Sequence, residues 1–358
     1  MTAFSPNRTF VTACFIVIAL VEVAAQAGRG TYQFLNLPSS ARTVGYGGFN
    51  VSIFDDDINL AFNNPGLLSA ESHNMMTFNF ADYLADIKFG SVAFGRSFGE
   101  KNHTAYGIHY FDYGKFLETT DADVQLGTFT AKDIALNIAY SRTLSKYFTV
   151  GGAFKPVYSV YERYTSFGTA FDLGISYHND SALFSAGLVV RNIGWQFKGY
   201  YSIDGQQHRE WLPLDIQLGV SQKFRHAPIR LSMTLHNLQR WNLAYERSSN
   251  VTYVTSTDDT KWVDMLFRHV VFSVEIIPSK NFSLVASYNH RRRKEMSITN
   301  FINQEGSDTN TRSIAGFSFG AAVKIYKFRA GFALTPYQVG NLSYHFTLST
   351  ALSEFGVK

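Results

Sequence analysis

From about residue 73 onward the chain repeats one pattern: large apolar side chains at every second position, with glycine, alanine, serine or polar residues between them. A strand points successive side chains to opposite faces, so this pattern describes sheet with one bulky apolar face and one small or polar face. Phe167, Phe171, Leu173, Ile175 and Tyr177 alternate with Gly168, Ala170, Asp172, Gly174 and Ser176. Leu214, Ile216, Leu218 and Val220 alternate with Asp215, Gln217, Gly219 and Ser221. Phe317, Phe319, Ala321, Val323 and Ile325 do the same, as do Leu342, Tyr344, Phe346 and Leu348. A soluble sandwich shows the same period, so alternation alone leaves a secreted sandwich and a membrane barrel both open.

Segment length and spacing separate the two. The pattern predicts strands near 73–84, 86–97, 103–113, 126–142, 146–161, 167–178, 182–192, 213–224, 229–239, 267–278, 281–291, 313–325, 328–337 and 341–352. Most run to about 10 residues, the length a tilted strand needs to cross a bilayer and about twice the usual globular strand. Short turns follow the even-numbered strands, such as Leu144-Ser145, Asn179-Asp180 and Pro278-Ser279-Lys280. Long connections at 193–212, 240–266 and 292–312 follow the seventh, ninth and eleventh. Outer-membrane barrels have short periplasmic turns and longer external loops, whereas a sandwich has no reason to segregate them. The expectation is an all-β transmembrane antiparallel barrel of about 14 strands over 73–358. Composition agrees: aromatics are 16% of the 358 residues, charged residues only 17%, and there are 27 glycines. A helical membrane protein is excluded, because no stretch after the N-terminus approaches the roughly 18 apolar residues a spanning helix needs.

At the N-terminus, Arg8 precedes an apolar stretch over 10–21, and Ala25-Gln26-Ala27 follows as a small-x-small cleavage site. That order predicts a signal peptide over 1–27, Sec export and an outer-membrane destination. Lipidation at Cys14 is disfavoured, since the apolar core follows the cysteine when it should precede it. Cys14 is the one cysteine, so the processed chain is expected to carry no disulfide, thiol nucleophile or cysteine metal site. A net charge of +4 is too mild to imply a nucleic-acid partner.

Residues 28–72 do not alternate. Ser39 and Asp55 are placed to cap short helices, and Asn64-Pro65-Gly66 marks a turn. Because the lumenal face of the strands is largely small, this segment is expected to plug the barrel; hanging in the periplasm is the alternative. Its motifs carry a resemblance. Leu37-Pro38-Ser39-Ser40-Ala41-Arg42, a double glycine, an aspartate-rich stretch and Asn63-Asn64-Pro65 resemble the N-terminal hatch of FadL-like outer-membrane barrels. Within that group the run from Tyr32-Gln33-Phe34 through Leu60-Ala61-Phe62 is most similar to the PorV/PorQ-type barrels of the type IX secretion system. Gly66 departs from the family, which more often has alanine after the proline, and is expected to loosen the turn.

The resemblance implies a non-catalytic subunit of the type IX attachment complex. Its partners would be a PorZ-like surface protein with PorU and PorV, and the hatch motif residues would be Pro38, Ser39, Ser40, Ala41, Arg42, Asn63, Asn64 and Pro65. Generic FadL likeness implies instead a transporter of hydrophobic small molecules. No chemistry beyond this emerges. Asp55, Asp57 and Asn59 imitate the start of a calcium loop, but its sixth and twelfth positions fall on Leu60 and Gly66. The ten histidines are scattered, so no metal, cofactor or enzymatic activity is expected. Arg291, Arg292, Arg293 and Lys294 form the one basic cluster, at the expected external rim, where lipopolysaccharide phosphates are one ligand and plain solvation the alternative. Trp262, inside the 240–266 connection, is the candidate protein contact, while Trp211 and Trp241 read as membrane girdle.

Overall fold

A computed structural model describes residues 30–120, 122, 124–243, 261–296, 314–338 and 341–356. The expected signal peptide and much of the two largest connections lie outside the described residues.

The wall begins with β1 (Met75–Asp82), β2 (Lys88–Phe98), β3 (Asn102–Thr119), β4 (Gln125–Thr143), β5 (Phe148–Tyr161), β6 (Tyr164–Asn179) and β7 (Phe184–Lys198). A small hairpin, β8 (Ser202–Ile203) and β9 (Gln206–Gln207), rises from the next connection. The wall continues with β10 (Asp215–Lys223), β11 (Ile229–Leu235), β12 (Val270–Ser279), β13 (Phe282–Asn289), β14 (Phe317–Ile325), β15 (Phe328–Gln338) and β16 (Asn341–Ala351). Every wall strand pairs antiparallel with its neighbours, and β1 pairs with β16, which closes a barrel of 14 strands. Closure removes the unpaired edges that hydrocarbon cannot satisfy. At the seam Phe78 lies opposite Leu348 and Phe80 opposite Phe346.

The alternation resolves as expected. On β6, Leu173 is 60% exposed on the outside, while Ala170, Asp172 and Ser176 face the lumen and are buried. Phe78, Phe80, Leu218, Phe272, Phe319 and Phe346 also face outward. In a bilayer each such side chain contributes on the order of 2 kcal/mol of transfer free energy. No helix among the described residues is long and apolar enough to cross a membrane.

Three strands outrun their expected limits by three residues or more: β3 continues to Thr119 beyond the expected 113, β6 begins at Tyr164 before the expected 167, and β7 continues to Lys198, six positions beyond the expected 192. The extension of β3 pairs with the start of β4, Lys115–Glu118 running against Gly127–Thr130, and Phe116 stacks on Phe129 at 5.3 Å. Cross-strand aromatic pairs of this kind stabilise a hairpin above the membrane, where alternation need not follow the lipid. The extension of β7 carries Trp195 and Phe197 outward.

The turns 99–101, 144–147, 180–183, 224–228, 280–281 and 326–327 share one end of the barrel, here the short-turn end. The opposite, long-loop end carries the hairpin extensions and two short helices, α2 (Trp262–Arg268) and α3 (His290–Met296). The third helix, α1 (Ala41–Gly45), belongs to the segment inside the lumen.

Candidate functional site: the filled lumen and its two mouths

Residues 30–74 enter at the long-loop end, where the Thr31 amide donates to the Trp211 carbonyl at 3.1 Å, and leave at the short-turn end to become β1. In between lie α1 and a series of single 3₁₀ turns. Their caps sit one or two residues from the expected positions. Ser40, not Ser39, accepts from the Thr43 amide at the start of α1. Asp57, not Asp55, accepts from the Asn59 amide at 3.0 Å, and Asn64 caps the Pro65–Leu67 turn. Asp55 is taken up by ion pairs with the wall, which a local reading of its neighbours cannot show.

The segment is bonded to the wall on all sides. The Ala41 amide donates to Thr347 Oγ1 at 2.9 Å, and Asn59 exchanges bonds with Thr77 and Asn79. Asn64 Nδ2 bridges Val51 of the segment and the Ile175 carbonyl of β6. Ser141 donates to the Leu68 carbonyl, Ser176 to that of Gly66, and Ser52 shares a 2.6 Å bond with Ser221. Tyr32 reaches Ser166 at 2.6 Å, and burial pushes its hydroxyl up to about 12. The small lumenal residues of the wall allow this approach. A side chain at Gly187 would strike the Val51 carbonyl, and one at Gly107 would strike the Phe62 ring.

Gly66 follows the same logic. A methyl group there would lie 3.0 Å from the β6 backbone, so glycine fits the segment against its wall and does not merely loosen the turn.

Toward the short-turn end the polar contacts become ionic. Arg42 pairs with Asp55 at 2.6 Å, with Asp57 at 3.4 Å and with Glu275 of β12 at 3.5 Å. Arg230 of β11 pairs with Asp55 at 3.4 Å and Glu275 at 3.0 Å. Arg329 of β15 holds Asp56 through two bonds of 2.8 Å. Burial alone would raise the Asp55 carboxyl, but Arg42 and Arg230 outweigh it and hold it well below the usual range. Two residues away Asp57 shifts the other way, because burial, with the neighbouring Asp55 charge, outweighs Arg42 and Arg329. The lumenal charges therefore join segment to wall, while Lys155 and Arg191 converge on Asp172 within the wall.

The expected hatch motif is thus brought together around the segment's own fold, with Asn63 donating to Thr43 at 3.1 Å. The basic cluster is divided. Arg292 turns into the barrel, donating to Gly47, Ser318 and Thr335 and lying 4.4 Å over the Tyr337 ring. Arg291 pairs with Glu295 on α3, and Lys294 with Asp264 on α2. Arg293 is left outward. Trp262 opens α2 and is 68% exposed; Trp241 stacks on His269, and Trp211 flanks the segment's entry. The sequence reading missed the α2–α3 clamp, where Asp264 accepts from His290 at 2.7 Å and Arg268 at 2.8 Å. Burial raises that carboxyl, but these donors and Lys294 bring it down to about 2.

Three cavities bear on passage through the barrel. One of about 410 Å³ opens at the long-loop end between Phe49, Asp215, His236, Arg291, Arg292 and Tyr337. One of about 30 Å³ lies between Phe34, Phe62 and the wall, roughly one water's share of liquid. Another of about 230 Å³ lies at the short-turn end over the arginine–aspartate cluster.

No family model matches the chain, and no curated protein sequence does. Solved structures do. The toluene transporter TodX of Pseudomonas putida superposes with a TM-score of 0.50 at 13% identity, covering 87% of this chain and 96% of that one. The CymD monoaromatic hydrocarbon channel gives 0.50 at 10% identity, over 88% and 96%. A deltaS2 mutant of TodX gives 0.51 at 12% identity, over 88% and 97%. These neighbours carry transporter and channel names, not enzyme names. At such identities the likeness is one of fold, and it places this chain among the closed, membrane-embedded barrels of the outer-membrane type.

Proposed function

We propose that this chain is a non-catalytic outer-membrane barrel whose lumen is shut by residues 30–72 acting as a hatch and whose long-loop end holds a surface partner. The observation carrying this reading is the cross-linking of segment to wall by Arg42, Arg230 and Arg329 together with bonds to β1, β4, β6, β10 and β16. A segment so tied is a poor moving gate, and the space between Phe34, Phe62 and the wall is about 30 Å³, whereas an apolar cavity that admits benzene is about 150 Å³. The exposed Trp262 and the ordered α2–α3 pair offer a protein-binding rim. By its resemblance over residues 32–65 to PorV/PorQ-type barrels, the partner is a PorZ-like protein, with PorU and PorV completing an attachment complex beside lipopolysaccharide. Affinity purification from native outer membrane is expected to recover that partner, and deletion of the barrel to release it. A partner that stays at the surface without the barrel overturns the reading.

A second reading, passage of hydrophobic small molecules, is favoured by the fold likeness to TodX and CymD, and the comparisons speak for it more than for the first. Proteoliposomes containing the barrel would then take up toluene, and changing Asn64 and Pro65 would abolish uptake. Uptake no faster than in empty liposomes removes this reading.

A further inference from the structure

The short-turn mouth carries more cations than the ion pairs that fasten the segment use. Lumen-facing positions at the ends of β10, β11, β14 and β15 present Lys223, Arg230, Lys324 and Arg329, and Lys280 stands on the turn between β12 and β13. With Arg42 of the hatch, these six cations surround the 230 Å³ cavity, against three anions: Asp55, Asp56 and Glu275. The anions are already spent. Asp55 and Glu275 are held by Arg42 and Arg230, and Asp56 is bound through both oxygens by Arg329. Lys324 is matched by Glu354 at 3.0 Å. Among the described residues Lys223 and Lys280 have no ion pair, and both are exposed to solvent.

A second depression of about 160 Å³ adjoins this one, sharing Lys223 and Arg230 with it. It is lined by Ile53, Phe54 and Leu183 beside His178, Asn179 and Asp180, with Phe54 stacked on His178 at 3.9 Å. Together they form a groove with Ile53, Phe54 and Leu183 near Asp180 at one end and the two lysines without ion pairs at the other. The cations occupy lumenal positions, so lipid head groups on the outer wall do not reach them. One small anion would satisfy the lysines and leave the apolar stretch empty.

We propose that this groove binds an extended acidic peptide with interspersed apolar side chains, belonging to a partner on the short-turn, periplasmic side. Carboxylates would meet Lys223 and Lys280, and an apolar side chain would lie against Phe54 and Leu183. The proposal is independent of what the long-loop end does.

The test uses the intact barrel in neutral phosphatidylcholine nanodiscs and a fluorescein-labelled peptide of alternating glutamate and leucine, read by anisotropy. Saturable binding is expected at low salt, weakened about tenfold or more by the Lys223→Glu/Lys280→Glu pair. It should be retained by Lys223→Arg/Lys280→Arg and suppressed at roughly 0.5 M salt, where screening is strong. Both lysines are solvent-exposed, and an unchanged heat-dependent gel shift confirms that each variant is folded. Equal binding by the charge-reversed variant, or by a lysine–leucine peptide, overturns the proposal. So does displacement by inorganic phosphate at concentrations similar to those of the peptide, which would make the groove a simple anion site.

Discussion

Arg42 ties the N-terminal segment together and to the wall, reaching Asp55 and Asp57 on its own segment and Glu275 on β12. Removing one partner of a buried ion pair leaves the other charge uncompensated, which costs about 3–5 kcal/mol. Arg42→Ala is therefore expected to lower the temperature at which the folded, fast-migrating gel species is lost, and adding Asp55→Asn should restore part of the difference. Gly187 tests sterics instead of charge. Gly187→Val would drive a side chain into the Val51 carbonyl, and the expected result is failure to form the compact gel species. Arg42 and Asn64 stood out in the sequence as parts of a motif. Glu275 and Arg329 read only as lumenal charges, for plug or for water, and Arg230 not at all, because a lumenal charge on a strand looks the same whether it meets water or a plug.

Among the elements, the strands were legible and the helices at the rim were not. The lipid face imposes period two on every crossing, so β1 and β16 begin and end within two residues of expectation. The strand core near Phe346 offers a direct check. Phe346→Arg at mid-strand should cost about 2–4 kcal/mol in a reconstituted barrel, the usual penalty for a cation at the bilayer midplane. The α2–α3 clamp depends on pH in a defined direction. Asp264 is held at about 2, below its ordinary 3.8, so its contribution is full above pH 3.8 and is lost as pH falls through about 2. Amide exchange over 262–268 should rise across that window and stay level in Asp264→Asn. The clamp joins residues 26 positions apart across a long connection, and no local pattern announces such a contact.

For the whole molecule, an N-terminal segment fastened to the wall at many points predicts an electrically quiet barrel. In planar bilayers the wild type should show little conductance, and Arg42→Ala combined with Arg230→Ala should raise it by loosening the short-turn side of the hatch. A wild type that conducts like an open pore would contradict the packing of residues 30–74.

The sequence by itself determined the barrel. A bilayer demands crossings of about ten residues with one apolar face and closure of all edges, and those demands are written locally, residue by residue. It also pointed to small lumenal side chains and to an N-terminal segment of a length suited to fill the space they leave. Only the tertiary structure decided how that segment threads from the Trp211 side to β1, and that Asp55 is an ion-pair partner and not a cap. It alone divided the basic run at 291–294, turning Arg292 inward and leaving Arg293 outward. It also gathered six cations from separate strands, one turn and the hatch at one mouth. Those outcomes depend on which strands meet the segment at each height. That is a property of barrel closure and register, and no stretch of sequence records it.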